Sequence, residues 1–424
     1  MLPVWLFVLL FQGSRLWLLL LALLLVLPAA AQEKPAFQFE RARTRRVRLP
    51  FMLQRNLIVV SARLNGQGPY NFLLDSGVGV SILTDPAVKN FLQLRTGEEV
   101  RLMGAGESEQ PLLAYRVDSV QVQLADAVAP SLSFFALSED ILNLSAYVGM
   151  PIHGILGYDV FQSFVVEVHT DPAQLYLHDP ARYRAPRSRR WAHIPLVLRA
   201  NRTYVTTTVQ LNDTLTMPLK LLLDTGAGHA LSLETGSAAN VPLPQQRLRA
   251  QLGLGLNGNI NGYLGRVRGI QLGRYRVKSL ITSFPDEQEV RLKASVPRDG
   301  GLGFELLKRF TTIIDYPHAR LLLRPNTIFR DPFEHDMSGI EVLAVGTDYR
   351  RYLILRVIPD SPAAAAGLLP DDELLVINMQ PTGNMTLTQI GRLLHSGDQR
   401  ELVFIVRRAN GELFSTSLRL KRQI

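Results

Sequence analysis

Residues Asn56 to Leu83 read NLIVVSARLNGQGPYNFLLDSGVGVSIL. A β-branched, alternating run reaches Asn65-Gly66, and a second apolar run then enters Asp75-Ser76-Gly77. Alternation, an Asn-Gly pair and a second run predict a strand, a tight turn and a returning strand. The same order comes back at Tyr204 to Leu233, YVTTTVQLNDTLTMPLKLLLDTGAGHALSL, with its turn at Asn212-Asp213 and Asp224-Thr225-Gly226 after the second run.

The far ends of the two units match as well. HGILGYDVFQSFVVEVHTDPAQLYLHDP runs from His153 to Pro180, and DGGLGFELLKRFTTIIDYPHARLLLRP from Asp299 to Pro325. Each places two residues before a glycine, then a short helical segment, an apolar strand, an X-Pro turn and a last strand. Asp75 to Gly157 spans 82 residues (157 − 75), and Asp224 to Gly303 spans 79 (303 − 224). Two landmarks at nearly equal separation identify a duplicated unit. Between them lies a glycine-tipped hairpin in each: Gly104-Ala105-Gly106, returning at Leu112, and Gly255 to Gly258, returning near Tyr263. Such tips suit mobile flaps.

One Asp-Ser/Thr-Gly tripeptide is most often a turn. Two copies, each behind an aliphatic run on a repeated unit, pose a physical problem. A carboxylate at the end of a buried strand is costly unless it is hydrogen-bonded or paired. Asp75 and Asp224 can solve it by pairing across a pseudo-twofold axis. Two close carboxylates cannot both ionise easily, so they share a proton. The ionised one can deprotonate water while the protonated one polarises a carbonyl. Gly77 and Gly226 permit tight loops. The hydroxyls of Ser76 and Thr225 can each hold the opposing loop.

These residues carry a resemblance. Residues 56–325 are similar to retropepsin-like and pepsin-like aspartic proteases in their two-lobed, single-chain form. The matching features are Asp75-Ser76-Gly77, Asp224-Thr225-Gly226 and the apolar elements that end at Gly157 and Gly303. The resemblance implies an acid-protease fold of two homologous β lobes and a proton-sharing dyad of Asp75 and Asp224. The water is the nucleophile, so no covalent intermediate, metal or cofactor is needed. Val78 stands where the family usually has Ala, Ser or Thr, and neither Tyr115 nor Tyr263 falls at a glycine tip. Asp159 and Glu305, two residues past the landmark glycines, read as repeat equivalents near a helix start, and His229 as a packed loop residue.

Residues 336–422 resemble a PDZ domain of the kind attached to bacterial proteases. The carrying text is Ser361-Pro362-Ala363 through Leu368, followed by Asp371 to Asn378. Such a domain adds an extended peptide to a sheet edge, with backbone N–H groups holding the C-terminal carboxylate. Met337-Ser338-Gly339-Ile340 is the expected carboxylate loop, so Ser338, Gly339 and Ile340 are the expected peptide-binding residues. The short polar stretch Asp331 to Ser338 predicts a tethered module.

The chain of 424 residues has 47% hydrophobic and 20% charged residues and a net charge of +9. That suits a globular protein of several domains. Its arginines gather at 41–48 and 182–190, beside apolar segments. They read as solvated linkers, since no nucleic-acid-binding module accompanies them. The absence of cysteine excludes disulfides, thiolate metal sites and a cysteine nucleophile. Arg15, the apolar run Leu16 to Leu27, Pro28 and Ala29-Ala30-Ala31 predict a signal peptide cleaved after Ala31. Val4 to Phe11 is also apolar, and an uncleaved anchor would be the one membrane contact. The expected organisation is a leader over 1–31, lobes over 32–181 and 182–330, and an α+β PDZ-like module over 336–422. The expected product is an exported endopeptidase in the periplasm, envelope or medium, acting on peptide or protein substrates. A catalytically weak protease fold serving as a peptide-binding scaffold is the alternative, and an envelope structural protein would explain neither aspartate.

Overall fold

The computed structural model describes residues 35–290 and 296–424. The expected signal segment lies outside the described residues. The chain is mainly β, and its sheets follow the repeat.

In the first lobe β1 (Leu57–Leu64) and β2 (Gln67–Leu74) form the hairpin read from the sequence. Asn65 and Gly66 both take positive φ at its turn, as a tight right-twisting hairpin requires. The glycine-tipped hairpin is β3 (Glu99–Leu102) and β4 (Leu112–Leu124). Helix α1 (Leu144–Val148) precedes β5 (Gly154–Leu156), which runs parallel to β2 with Ile155 opposite Leu73. Helix α2 (Tyr158–Ser163) and β6 (Val165–Thr170) follow.

The second lobe repeats the scheme. Strands β7 (Arg202–Gln210) and β8 (Thr216–Asp224) pair, and β9 (Arg247–Gly255) and β10 (Gly258–Leu272) form its long hairpin. That hairpin returns at Gly258, several residues before the expected Tyr263. Strand β11 (Gly300–Gly303) runs parallel to β8 with Gly301 opposite Leu222, then come α3 (Phe304–Leu307) and β12 (Phe310–Asp315).

The lobes are joined by a sheet to which both contribute. At its centre β6 pairs antiparallel with β12, Val166 opposite Ile314 and Val168 opposite Thr312. Every residue of β12 is buried. Asp315, at its end, is tolerated there because Arg320 and His318 bond its two oxygens at 2.6 and 2.7 Å. One apolar cluster extends through both lobes, from Phe37 to Phe333. The first arginine run departs from the linker reading. Arg46 and Arg48 lie on an edge strand, Arg46–Pro50, whose exposed positions are these two arginines and Pro50. Charge on an exposed edge discourages pairing with other chains.

The C-terminal module has its own core around Ile354, Ile377, Ile390 and Phe404. Its edge strand is β13 (Ile340–Val345), followed by β14 (Arg351–Val357). Helix α4 (Leu387–Leu394) opens with Thr386 and Gln389 in a reciprocal capping box. The expectation of a loose tether is corrected. Phe333 is buried in the lobes' core beneath the Arg309 guanidinium, 3.6 Å from its ring centre. Arg309 also bonds the carbonyls of Asp331 and Pro332, and Arg266 those of Phe333 and Ile424. A single aromatic in a polar stretch, met by the buried Arg309 and the half-buried Arg266, fixes the linker.

Candidate active site

Asp75 follows β2, and its N–H donates to the Leu156 carbonyl of the neighbouring parallel strand at 2.9 Å. Asp224 ends β8 opposite Gly303. In each loop the glycine two residues on turns its N–H back onto the carboxylate: Gly77 to Asp75 Oδ1 at 2.7 Å and Gly226 to Asp224 Oδ1 at 3.0 Å. Each carboxyl lies over the glycine of the opposite loop, so the two are close neighbours across the lobe boundary. Burial, and then the charge of Asp224, hold the Asp75 carboxyl well above its ordinary range, against the pull of the Gly77 and Gly226 N–H groups.

Packing explains why both loops need glycine. A Cβ on Gly77 would lie 2.7 Å from Asp224 Cγ, and one on Gly226 would lie 2.2 Å from Asp75 Cγ. Each carboxyl therefore rests on the opposite loop's glycine.

Ser76 and Thr225 are both buried and interlock beneath the carboxyls. Ser76 Oγ donates to the Leu223 carbonyl and accepts from the Thr225 N–H, while Thr225 Oγ1 donates to the Leu74 carbonyl and accepts from the Ser76 N–H. Two further groups, not read from the sequence, fasten the first loop from the second lobe. Tyr316 Oη donates to the Ser76 carbonyl at 3.0 Å and its ring stacks on Phe161; Arg202 Nε donates to the Gly77 carbonyl at 2.7 Å. Tyr316 precedes Pro317 and reads in sequence only as a turn residue. Its place in the repeat, after the second apolar strand, was the available signal.

The glycine-tipped hairpins meet. Asn257, buried at the second tip, accepts from the Gly104 N–H at 2.7 Å and donates to the Gln110 carbonyl at 2.6 Å through its side chain. Its backbone pairs with Ala105 and Ser108. Leu102 of the first hairpin and Leu254 and Leu256 of the second pack in one apolar cluster with Val78, three residues past Asp75. Val78 thus packs its side chain beside the hairpins, while its carbonyl accepts from the Tyr158 N–H. Tyr115 and Tyr263 sit along the strands opposite Glu99 and Arg249.

The remaining candidates take structural places. Asp159 accepts from Ser81 Oγ at 2.8 Å at the start of α2. Glu305, at the start of α3, pairs with Lys308 and Arg309. His229 is enclosed beside Gly303, and burial lowers its pKa.

The expected carboxylate loop of the C-terminal module is arranged differently from the sequence reading. Asp336 accepts from the N–H groups of Ser338 and Gly339 at 3.2 and 2.6 Å, and Ser338 Oγ accepts from the Ile340 N–H at 3.2 Å. The three N–H groups assigned to a peptide carboxylate are all engaged internally. Asp336, immediately before Met337, is the residue that reading missed.

Two family profiles agree with this architecture. The aspartyl protease family profile matches residues 60–160 and 207–306, and a PDZ domain profile matches 353–408. No curated protein matches the chain. Among solved structures, aspartic proteinase from Irpex lacteus has a TM-score of 0.40 at 11% identity, covering 68% of this chain and 99% of its own. Basic 7S globulin from soybean has a TM-score of 0.39 at 10% identity, covering 68% and 97%. The assignment rests on the two profiles and on the geometry of the repeated loops: this chain is a two-lobed protein of the aspartyl protease type that ends in a PDZ domain.

Proposed function

We propose that the chain is an aspartic endopeptidase in which Asp75 and Asp224 activate a water. The supporting observation is the close approach of the two carboxyls, each against the opposite loop's glycine, on loops locked by Ser76 and Thr225. In this reading the pair holds one proton between its members. The ionised carboxylate takes a proton from water, and the resulting hydroxide attacks the scissile carbonyl. The protonated carboxyl hydrogen-bonds the carbonyl oxygen, and a proton passes to the leaving amine as the C–N bond breaks. The scheme calls for no metal or cofactor. The substrate is a peptide or protein segment lying in extended form under the two hairpins.

Asp75→Asn and Asp224→Asn each remove the shared proton's partner. Each is expected to abolish cleavage of a peptide library while the protein stays folded by circular dichroism. Full activity in either variant would refute the dyad. In the parent, kcat/KM is expected to fall as pH rises through the pair's upper pKa, because the second carboxyl then loses its proton.

We also infer an exported protein from residues 1–31. Amino-terminal sequencing of the mature protein should begin at Gln32; an intact Met1 in a membrane fraction would instead indicate an anchor.

A further inference from the structure

The PDZ domain's edge is occupied. Strand β13 pairs only with β14 among the described residues, so its outer side is the edge to which a peptide would be added. Helix α4 flanks that edge, and the lining is apolar where Ala344 and Leu387 approach each other. The first protease lobe sits there. Helix α1 packs against β13. Gly149, which closes α1 with φ +82°, lies between the two walls: a Cβ there would be 2.8 Å from Leu387 Cβ and 3.7 Å from Ala344 Cβ.

Arg55 ties the same edge down. One guanidinium nitrogen bonds the Val342 carbonyl on β13 at 3.4 Å, and the other bonds the Tyr147 carbonyl at 3.2 Å, with the Tyr147 ring 4.5 Å away. The Arg55 N–H donates to Thr388 Oγ1, whose own hydroxyl donates to Gln54 Oε1 at 2.6 Å. The turn at 54–56 also touches the second Asp-Thr-Gly loop. Asn56 Nδ2 donates to the Gly228 carbonyl at 3.0 Å, and a Cβ on Gly228 would meet the Arg55 carbonyl at 2.7 Å.

We propose that the PDZ groove of this chain receives its own first lobe, and that Arg55 is a positioning residue through which this docking sets the loop carrying Asp224. An internal carboxylate, Asp336, takes the place at the end of the groove where a tail carboxylate would bind. The ligand of the groove is thus the segment Tyr147 to Gly149 with Arg55, in place of a free peptide tail. The kinetic part of this proposal rests on the dyad reading; the docking part does not.

The test uses the full chain. In an Asp75→Asn background, where turnover cannot interfere, amide exchange is followed at 340–345 and 226–230 in the parent and with Arg55→Ala or Thr388→Ala. Both segments should exchange slowly in the parent and faster by about tenfold with either substitution, an effect of the size expected for coupled local opening. In the active chain, Arg55→Ala should lower kcat on an end-blocked peptide by about three- to tenfold with KM changed less than about twofold, and Arg55→Lys should restore little, since it lacks the planar fork. A pool of fluorescein-labelled octapeptides with free carboxyl ends should leave exchange at 340–345 unchanged in the parent. Fast exchange of 340–345 in the parent, tight binding of that pool with new protection there, or unaltered kcat in both variants would overturn the proposal. Failure of the dyad itself would show differently, as a parent inactive on every peptide while the exchange results still decide the docking.

Discussion

Ser76 and Thr225 hold each other's loops by exchanging hydroxyl and N–H groups across the lobe boundary, at 2.8 to 3.0 Å. Ser76→Ala removes a donor to the Leu223 carbonyl and the acceptor of the Thr225 N–H. Leaving buried partners unpaired costs about 1–3 kcal/mol. Chemical denaturation should show that loss, and kcat should fall more than KM rises, because the carboxyls lose their fixed spacing. Ser76→Thr, which keeps the hydroxyl already used at 225, should recover most of both. Ser76→Ala and Thr225→Ala each break a different pair of these four bonds, so the double variant should lose about the sum of the two, and any departure from that sum measures coupling between the adjoining loops.

Gly226→Ala tests the contact from the other side. The new methyl would lie 2.2 Å from Asp75 Cγ, and neither the loop nor the carboxyl can yield without separating the pair. Cleavage should be lost while the unfolding midpoint moves modestly. Gly391, within α4, would meet no atom within 4 Å on gaining a methyl, and is the control expected to tolerate Ala.

The dyad also has a stability signature. The Asp75 carboxyl is held well above its ordinary range by burial and by Asp224, so the folded protein binds this proton more tightly than the unfolded chain does. Its favourable contribution is complete below the unfolded pKa and is lost as pH rises through the folded one. Asp75→Asn removes that loss. Urea midpoints should rise relative to the parent at alkaline pH and converge with it in acid.

Asn257 closes the two hairpins over one another with two side-chain bonds in addition to its backbone ones. Asn257→Ala removes both, worth about 1 kcal/mol each. Amides of 104–110 should exchange about ten- to thirtyfold faster, and KM should rise as the closed hairpins hold substrate less well. Unchanged exchange would mean that apolar packing of Leu254 and Leu256 alone closes them.

Much of this was legible because strands repeat with period two and the unit occurs twice. Asn65-Gly66, the Asp-Ser/Thr-Gly loops and the elements ending at Gly157 and Gly303 each have a local signature, and the second copy converts a common tripeptide into a pair. What escaped depends on contacts between distant segments. Tyr316 and Arg202 reach the first loop from the other lobe, Asn257 matters only once the tips meet, and Phe333 is hidden in a stretch that reads as polar linker. The Asp336 contact is short-range, but an acidic residue ahead of Ser-Gly has no pattern that separates a filled loop from an open one.

The boundary between the second lobe and the PDZ domain is expected to loosen in acid. His335 lies in the fixed linker, where burial lowers its pKa to about 4, with the Glu341 charge pulling only partly the other way. Nearby, His395 is also lowered by burial, with Asp336 and Glu305 opposing and Lys308 adding to the effect. A histidine whose folded pKa is depressed stays neutral while the unfolded chain takes up a proton. Stability is therefore whole above the unfolded value of about 6.5 and declines as pH falls toward 4, below which both states are protonated. Over that window His335 accounts for about 2–3 kcal/mol at most. His335→Gln should remove this part of the pH dependence without changing stability near neutrality by a comparable amount. Urea unfolding of the full chain between pH 7 and pH 4.5, followed by exchange at 333–345, measures it. A parent and a His335→Gln variant that lose stability in parallel would place the acid sensitivity elsewhere.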